Sequence, residues 1–323
     1  MQFTFLDDQS DPKVALQLAQ GLLGKTVILG PSSPQDCAAV APIVAERGPV
    51  MYCLANAGNP VIGGYEFLTL FPYEPQFAVT LRYFRSRGLH RIAYLVSTDA
   101  GGQDAERAML STAALPENKS IEIVAREHFT PGDLSTTAQL SQMKAANPDV
   151  LLLWATGAAA GTMFRGAKDL GIDLPTFTSP GNLNAAFFKQ YATLLPTNLY
   201  FATVPYYAGD QTTDPATRAA IATLTAQLAT VNAKPDVSLI AAWDPAMVVV
   251  DALRKLGPDA TAAQLHSYLV GLTNWVGVNG LYNFRANPQR GIGQGNIVMV
   301  RWDAQANQGI AVSKFGGAPL PGK

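Results

Sequence analysis

An α/β fold follows from three features of this chain of 323 residues. Short, apolar, β-rich runs alternate with helical patterns from one end to the other, as parallel sheets covered by helices on both faces require. The helical patterns open on capping residues, with Ser, Thr or Asp ahead of a Pro or a polar turn. The length exceeds what one hydrophobic core usually supports, which favours two lobes.

Phe3 to Leu6 reads as a first strand. After Asp7-Asp8-Gln9-Ser10, Asp11 suits an N-cap and Pro12 the first position of a helix whose apolar residues are Val14, Leu16, Leu18 and Leu22. Thr26 to Gly30 predicts a strand, Ser33-Pro34-Gln35-Asp36 the start of a second helix, and Val50 to Leu54 the next strand. Further units are expected at Ile92 to Ser97 with a helix around Ala105 to Ala114, and at Val150 to Trp154 with a helix around Ala159 to Leu170. A strand follows near Leu199 to Ala202, helices dominate from Pro215 to Gly271, and Asn296 to Trp302 forms a late strand. The segment from Phe315 to Gly322, rich in Gly and Pro, is expected to pack little.

Composition removes several function classes. Lys+Arg 23 against Asp+Glu 24 gives a net charge of -1, with 15% charged residues, so there is no basic footprint for nucleic acid. No apolar run reaches the ~18 residues of a membrane span. The 2 cysteines, Cys37 and Cys53, exclude a disulfide scaffold and a four-cysteine zinc site, and read either as structural thiols or as one disulfide. Met1 to Leu6 lacks the basic start of a secretory leader. Gly24-Lys25-Thr26 precedes a strand where a phosphate loop must precede a helix, and Gly101-Gly102 lacks the dinucleotide spacing. His90, His128 and His266, expected before a strand, after a strand and inside a helix respectively, have no second ligand at metal spacing, so neither a metal nor a cofactor is expected. Catalysis is not expected either.

In an open parallel sheet, ligands bind outside the carboxyl ends of the strands. The residues there are Ser32 and Ser33, where a helix N-terminus can hold an anion; Ala55, Asn56 and Ala57, small with one amide; and Gly101 after Ser97-Thr98-Asp99. Trp154 and Thr156 place an indole and a hydroxyl at a strand end, and Asn182 follows Ser179-Pro180-Gly181. Each of the small polar residues also suits an ordinary turn or cap. Trp154 suits either a stacking face for a ligand or the core. As a stacking face it implies that Trp154→Ala weakens binding by ~1–3 kcal/mol with the fold intact.

Asp7-Asp8-Gln9-Ser10-Asp11-Pro12 with Ala15 and Ala19, then Gly30-Pro31-Ser32-Ser33 with Ala41-Pro42, resembles the opening of the leucine/isoleucine/valine-binding type of periplasmic receptor. Ser97-Thr98-Asp99 with Gly102-Gln103-Asp104, Phe129 with Asp133, Lys144 with Pro148-Asp149, Arg165 with Gly171, and Trp243-Asp244-Pro245 before Asp251-Ala252-Leu253 keep that family's order. The resemblance covers nearly the whole chain. It implies a type I periplasmic binding protein: two Rossmann-like lobes with parallel sheets flanked by helices, three interlobe crossings, and closure by hinge motion over a ligand held between the lobes. The crossings are expected near Leu70 to Pro75, Ala202 to Tyr206 and Val298, giving an N-terminal lobe of residues 1–72 and 205–297 and a C-terminal lobe of 73–204 and 298–323. Tyr73 and Tyr206, at two crossings, join the candidate site.

The resemblance further implies an extracytoplasmic receptor that is a monomer and delivers its solute to the ABC permease of the inner membrane. Family members specific for α-amino acids hold the carboxylate and the ammonium at positions that are Pro34, Ala57 and Gly181 here, and the family's Tyr-Gly tyrosine is Gly101. An ammonium without a carboxylate partner is costly to desolvate, so an aromatic or 2-keto carboxylate is expected ahead of leucine. A branched-chain or neutral amino-acid receptor, and a cytoplasmic ligand-sensing domain of the same fold, are the alternatives. The family also begins with a β-α unit ahead of the one that starts at Phe3, so an upstream segment is expected, with the first lobe the less stable in its absence.

Overall fold

The computed structural model describes residues 3–55, 58–212, 214–233 and 235–321. The chain divides into two compact units, the first of residues 1–72, 214–234 and 238–293, the second of residues 73–213, 235–237 and 294–323.

The chain enters the first unit through α1 (Pro12–Gln20), β1 (Val27–Leu29), α2 (Pro34–Val44), β2 (Val50–Cys53) and β3 (Glu66–Leu68). Asp11 caps α1 as expected, its carboxylate accepting from the Lys13 and Val14 N–H groups at 2.7 and 3.4 Å. The buried line of α1 is Ala15 and Ala19, four apart, while Val14, Leu16 and Leu18 are only half-buried. Small residues there let α1 lie close against α2, over a core of Val40, Val44, Met51 and Leu68.

The second unit runs through α3 (Tyr73–Ser86), β4 (Arg91–Ser97), α4 (Ala100–Ala113), β5 (Glu122–Phe129), α5 (Thr137–Ala145), β6 (Val150–Trp154), α6 (Gly157–Asp169), β7 (Thr176–Thr178), α7 (Ala185–Tyr191) and β8 (Leu199–Thr203). The chain then gives the first unit α8 (Pro215–Thr230), α9 (Val237–Leu256, all but its first residue), α10 (Ala262–Gly271), β9 (Thr273–Gly277) and β10 (Gly280–Asn283). It ends in the second unit with β11 (Val298–Asp303) and β12 (Gln308–Ala311).

The second unit is built on a seven-stranded sheet in the order β12-β11-β8-β7-β6-β4-β5. Strands β5, β4, β6, β7 and β8 pair parallel, and β11 and β12 pair antiparallel. Every residue of β6 is buried, which is why it reads as an unbroken apolar run. Leu95, Leu151 and Leu153 pack with Met163, Phe164 and Phe187. Phe77, Phe84, Phe177 and Tyr200 form an aromatic layer with α3.

The first unit holds a parallel three-stranded sheet, β1-β2-β3, with Ile28 opposite Met51 and Tyr52 opposite Phe67. The edge of β3 is closed by Gln289. Its carbonyl accepts the Leu68 N–H at 2.9 Å, its side-chain amide donates to Gly64 and Glu66 carbonyls at 2.7 and 2.9 Å, and its Oε1 accepts the Gly63 N–H at 3.1 Å. An otherwise open row of backbone groups is thereby satisfied without a further strand.

Asp244, in α9, is fully buried and ties that helix to the β9–β10 hairpin. Its carboxylate accepts from the Val278 N–H at 2.9 Å, the Asn279 N–H at 2.8 Å and the Tyr282 hydroxyl at 3.0 Å. A Cβ on Gly277 would stand 2.4 Å from that carboxylate, so only glycine fits opposite it. Burial pushes the Asp244 carboxyl up to about 6 against those three donors. Burial, with Asp244 adding to it, also raises the Tyr52 phenol, whose hydroxyl is buried without a hydrogen-bond partner.

Four expectations are corrected. Phe3 to Leu6 is not a strand: Phe5 is 91% exposed, and no described strand pairs with these residues. An extended run becomes a strand only where a neighbour offers donors and acceptors. The Gly/Pro-rich segment does pack, because a Cβ on Gly317 would stand 2.4 Å from the Val79 carbonyl, an approach to α3 that only glycine permits. The Leu320 N–H also donates to Val312 O at 3.0 Å. Residues 205–213 and 294–297 cluster with the second unit. The 3₁₀ turn Pro205–Gln211 lies against β11 and β12, and the turn Gln294–Asn296 lies against α3. His128 lies within β5 rather than after it.

Cys37 and Cys53 form a disulfide. Among the described residues no helix is long and apolar enough to cross a membrane.

Two outcomes follow. Replacing Cys37 and Cys53 by alanine, which opens a crosslink across 16 residues, is expected to lower unfolding stability by about 3 kcal/mol in urea titration. Asp244 holds its proton more tightly in the folded protein than in the unfolded chain. Stability is therefore greatest below both carboxyl values, and falls as pH rises from about 4 to about 6, by about 3 kcal/mol. Urea unfolding across that window should show the slope, and Asp244→Asn should flatten it while lowering stability, since an amide sets an N–H against a donor.

Candidate functional site

At the carboxyl rim of the first unit's sheet, β1 ends at Gly30, whose φ of +133° lies where side chains are disfavoured. The Gly30 N–H donates to Tyr52 O and the Leu54 N–H to Pro31 O, both at 2.8 Å, so the exits of β1 and β2 run side by side. Ser32 is exposed and Ser33 half-buried. Ser33 caps α2, its Oγ accepting the Asp36 N–H at 3.2 Å. The hydroxyls of both serines keep a proton to donate. The anion site is poorer than the sequence suggests, because Pro34 brings no N–H and Asp36 puts a carboxylate in the first turn. The disulfide pins that turn to the end of β2, with Cα atoms 5.8 Å apart. Ala55 is buried. Asn56 and Ala57 lie outside the described residues.

The second unit's rim is formed by the ends of β4, β6, β7 and β8. Ser97 Oγ donates to Asp99 Oδ1 at 3.0 Å, and the same oxygen accepts the Gly102 N–H at 2.8 Å, capping α4. A Cβ on Gly101 would lie 3.9 Å from the Tyr73 hydroxyl, so these two candidates meet. Trp154 meets Tyr73 too, its ring 5.3 Å from Tyr73, 5.1 Å from Phe77 and 5.6 Å from Phe177. It is 2% exposed. The faces that the sequence offers to a ligand are thus occupied by rings of its own unit.

Thr156 is exposed and caps α6 without a side-chain capping bond, and the first turn of α6 has no acidic residue. Its Cγ2 would be 3.0 Å from a Cβ on Gly181, which leaves little space there for a side chain. Asn182 is fully buried and locks the exits of β6 and β7 together. Its amide donates to Ala155 O at 2.9 Å and Thr178 Oγ1 at 3.3 Å, and its Oδ1 accepts the Gly157 N–H at 3.3 Å. It therefore frames the rim, which its position in a turn does not reveal. Tyr206 stands edge-on to Tyr207, at 5.3 Å, and the Tyr207 hydroxyl donates to Leu183 O at 3.2 Å.

Sequence reasoning misses Asp36. An acid three residues after a serine cap reads as a complement to the helix dipole, yet this one is 1% exposed and its Oδ1 accepts no hydrogen bond. Glu106 joins α4 to β4 and β5. The Tyr94 hydroxyl donates to Glu106 Oε1, and His128 Nε2 lies 2.9 Å from Glu106 Oε2. Burial opposes ionisation of Glu106, and these two bonds hold its carboxyl below the usual range. No group of three or more metal-ligating side chains occurs among the described residues.

A protein-family profile described as "Periplasmic binding protein" matches residues 1–308. No curated protein matches the chain. Among solved structures, an extracellular ligand-binding receptor from Rhodopseudomonas palustris HaA2 is similar, with a TM-score of 0.81 at 19% identity over 95% of this chain and 88% of that one. The branched-chain amino acid transporter substrate-binding protein LivJ from Streptococcus pneumoniae, in complex with isoleucine, gives 0.76 at 19% identity over 95% and 86%. The leucine-binding protein LivK from Thermotoga maritima gives 0.74 at 19% identity over 92% and 83%.

With Tyr73, Phe77 and Phe177 packed on it, Trp154 acts on stability whatever else it does. Trp154→Ala is expected to cost about 3–5 kcal/mol in chemical denaturation, and a variant as stable as the parent would remove it from the core.

Proposed function

Because the chain belongs to the periplasmic binding protein family, we propose that it is the extracytoplasmic solute-binding receptor of an ABC importer, taking a small carboxylate. It catalyses nothing, works as a monomer and hands its solute to a membrane permease. The observation that carries the carboxylate reading is the N-terminus of α6. Thr156 there is exposed and makes no capping bond, and no acid stands in the first turn, so hydroxyl and helix dipole both favour an anion. Tyr73, half-buried beside Gly101, offers an aromatic surface on the same rim. Aromatic and 2-keto acids are therefore the classes to try first. In the first unit the Ser32 and Ser33 hydroxyls are donors at that unit's own rim, and in the second unit Tyr206 follows β8. The Cys37–Cys53 disulfide suits an oxidising compartment.

A branched-chain amino-acid receptor is the second reading, favoured by the likeness to LivJ solved with isoleucine. A thermal-shift panel of aromatic acids, 2-keto acids and amino acids separates the two. A ligand that binds only the folded protein adds ~2.7 kcal/mol of stability at a hundredfold excess over its dissociation constant. Stabilisation by carboxylates other than leucine, isoleucine and valine is expected. Selective stabilisation by those three would replace the first reading with the second.

A further inference from the structure

After β3 the chain leaves the first unit through Thr69, Leu70, Phe71 and Pro72, and Tyr73 opens α3 of the second. Leu70 has a φ of +59°, in the left-handed region. The other described residues with positive φ, glycines aside, are asparagine, glutamine or serine, and Leu70 alone is apolar. Asparagine tolerates that region because its short polar side chain bonds to the local backbone, whereas leucine gains no such bond and crowds its Cβ against the carbonyl that follows. Strain of this kind persists only where the surrounding structure imposes it.

The neighbours of Leu70 do impose it. Thr69 is 2% exposed and tied at three atoms: its N–H donates to Cys53 O at 3.0 Å, its hydroxyl donates to Ala241 O, and its carbonyl accepts from the Arg290 guanidinium at 3.5 Å. Phe71 is buried and, standing before Pro72, is confined to extended backbone. Pro72 has its own φ locked by the ring. Leu70, half-buried between them, is the residue of this crossing whose dihedrals are left to turn.

We propose that Leu70 is the pivot of this crossing, its strained φ keeping two arrangements of the receptor close in free energy. One has the positive φ, and the other relaxes to the negative φ that leucine prefers. The proposal rests on the receptor reading above and adds how the receptor is set to respond. A ligand shifts such a balance only by its differential affinity for the two arrangements. The strain at Leu70 therefore enters every dissociation constant as one common factor, from a position that no ligand needs to touch.

The test uses the full chain with residue 70 varied. Leu70→Asn and Leu70→Gly lift the penalty on positive φ, while Leu70→Ile, of the same volume and β-branched, raises it. Without ligand, small-angle scattering should show the radius of gyration displaced from the parent in one direction by Asn and Gly and in the other by Ile. Aromatic acids, 2-keto acids and amino acids serve as probes, with calorimetry on those that bind. The dissociation constants of the Asn and Ile variants should differ by roughly tenfold, the worth of one left-handed residue, and by the same factor for every probe. A residue that merely filled a turn would move the melting temperature and leave the radii alike, so unchanged radii overturn the pivot whatever the melting does. A factor that varies from probe to probe marks a contact with the ligand and overturns it too. Should no probe bind, the carboxylate reading falls, and the scattering decides the pivot by itself.

Discussion

Parallel strand pairing is the constraint from which the rest of this molecule follows. Two neighbouring parallel strands cannot be joined by a tight turn, so each return must cross the sheet, here through α4, α5, α6 and α7 of the second unit. The helices cover both faces, which is why β6 is a continuous apolar run and β4 is buried from Ile92 onward. The same rule sends the carboxyl ends of β4, β6, β7 and β8 to one rim. Ser97, Trp154, Thr178 and the turn after Thr203 arrive there together without any local signal having specified it.

What holds a rim together differs from what it presents. Asn182 binds the exits of β6 and β7, Trp154 fills the space between α3 and the sheet, and the Cys37–Cys53 bond anchors α2. These groups give fixed positions to the few that keep something to offer: the exposed Thr156 hydroxyl, which makes no capping bond, and the serine hydroxyls, which keep a proton to donate. A binding site needs that division, because a group already bonded within the fold has little left to offer a solute.

The first unit solves its edge problem with side chains. Gln289 closes β3, and Asp244 gathers the hairpin onto α9, each replacing what another strand or a longer interface would supply. Such buried polar joints stabilise only when every member is satisfied. The Asp36 carboxylate and the Tyr52 hydroxyl, each with a buried oxygen that has no hydrogen-bond partner, depart from that rule at a physical cost.

Local chemistry determined a good part of this protein. Asp11 with Pro12, and Ser33 with Pro34, fixed the starts of α1 and α2, and the apolar runs fixed β4, β6 and β8, because caps and fully buried strands act through neighbours in the chain. The α/β class and the succession of motifs that marks the family were legible in the same way. Tertiary structure alone decided the rest. Phe3 to Leu6 has the composition of a strand and no partner to pair with. The glycines near residue 317 look like a loose tail and are what allow close packing on α3. Trp154 and Asn182 look like ligand contacts and are held by their own unit, while Asp36 looks like a helix cap and is buried without a partner. Burial and pairing depend on residues distant in the chain, and a position's own residue type carries no record of which of them it will meet.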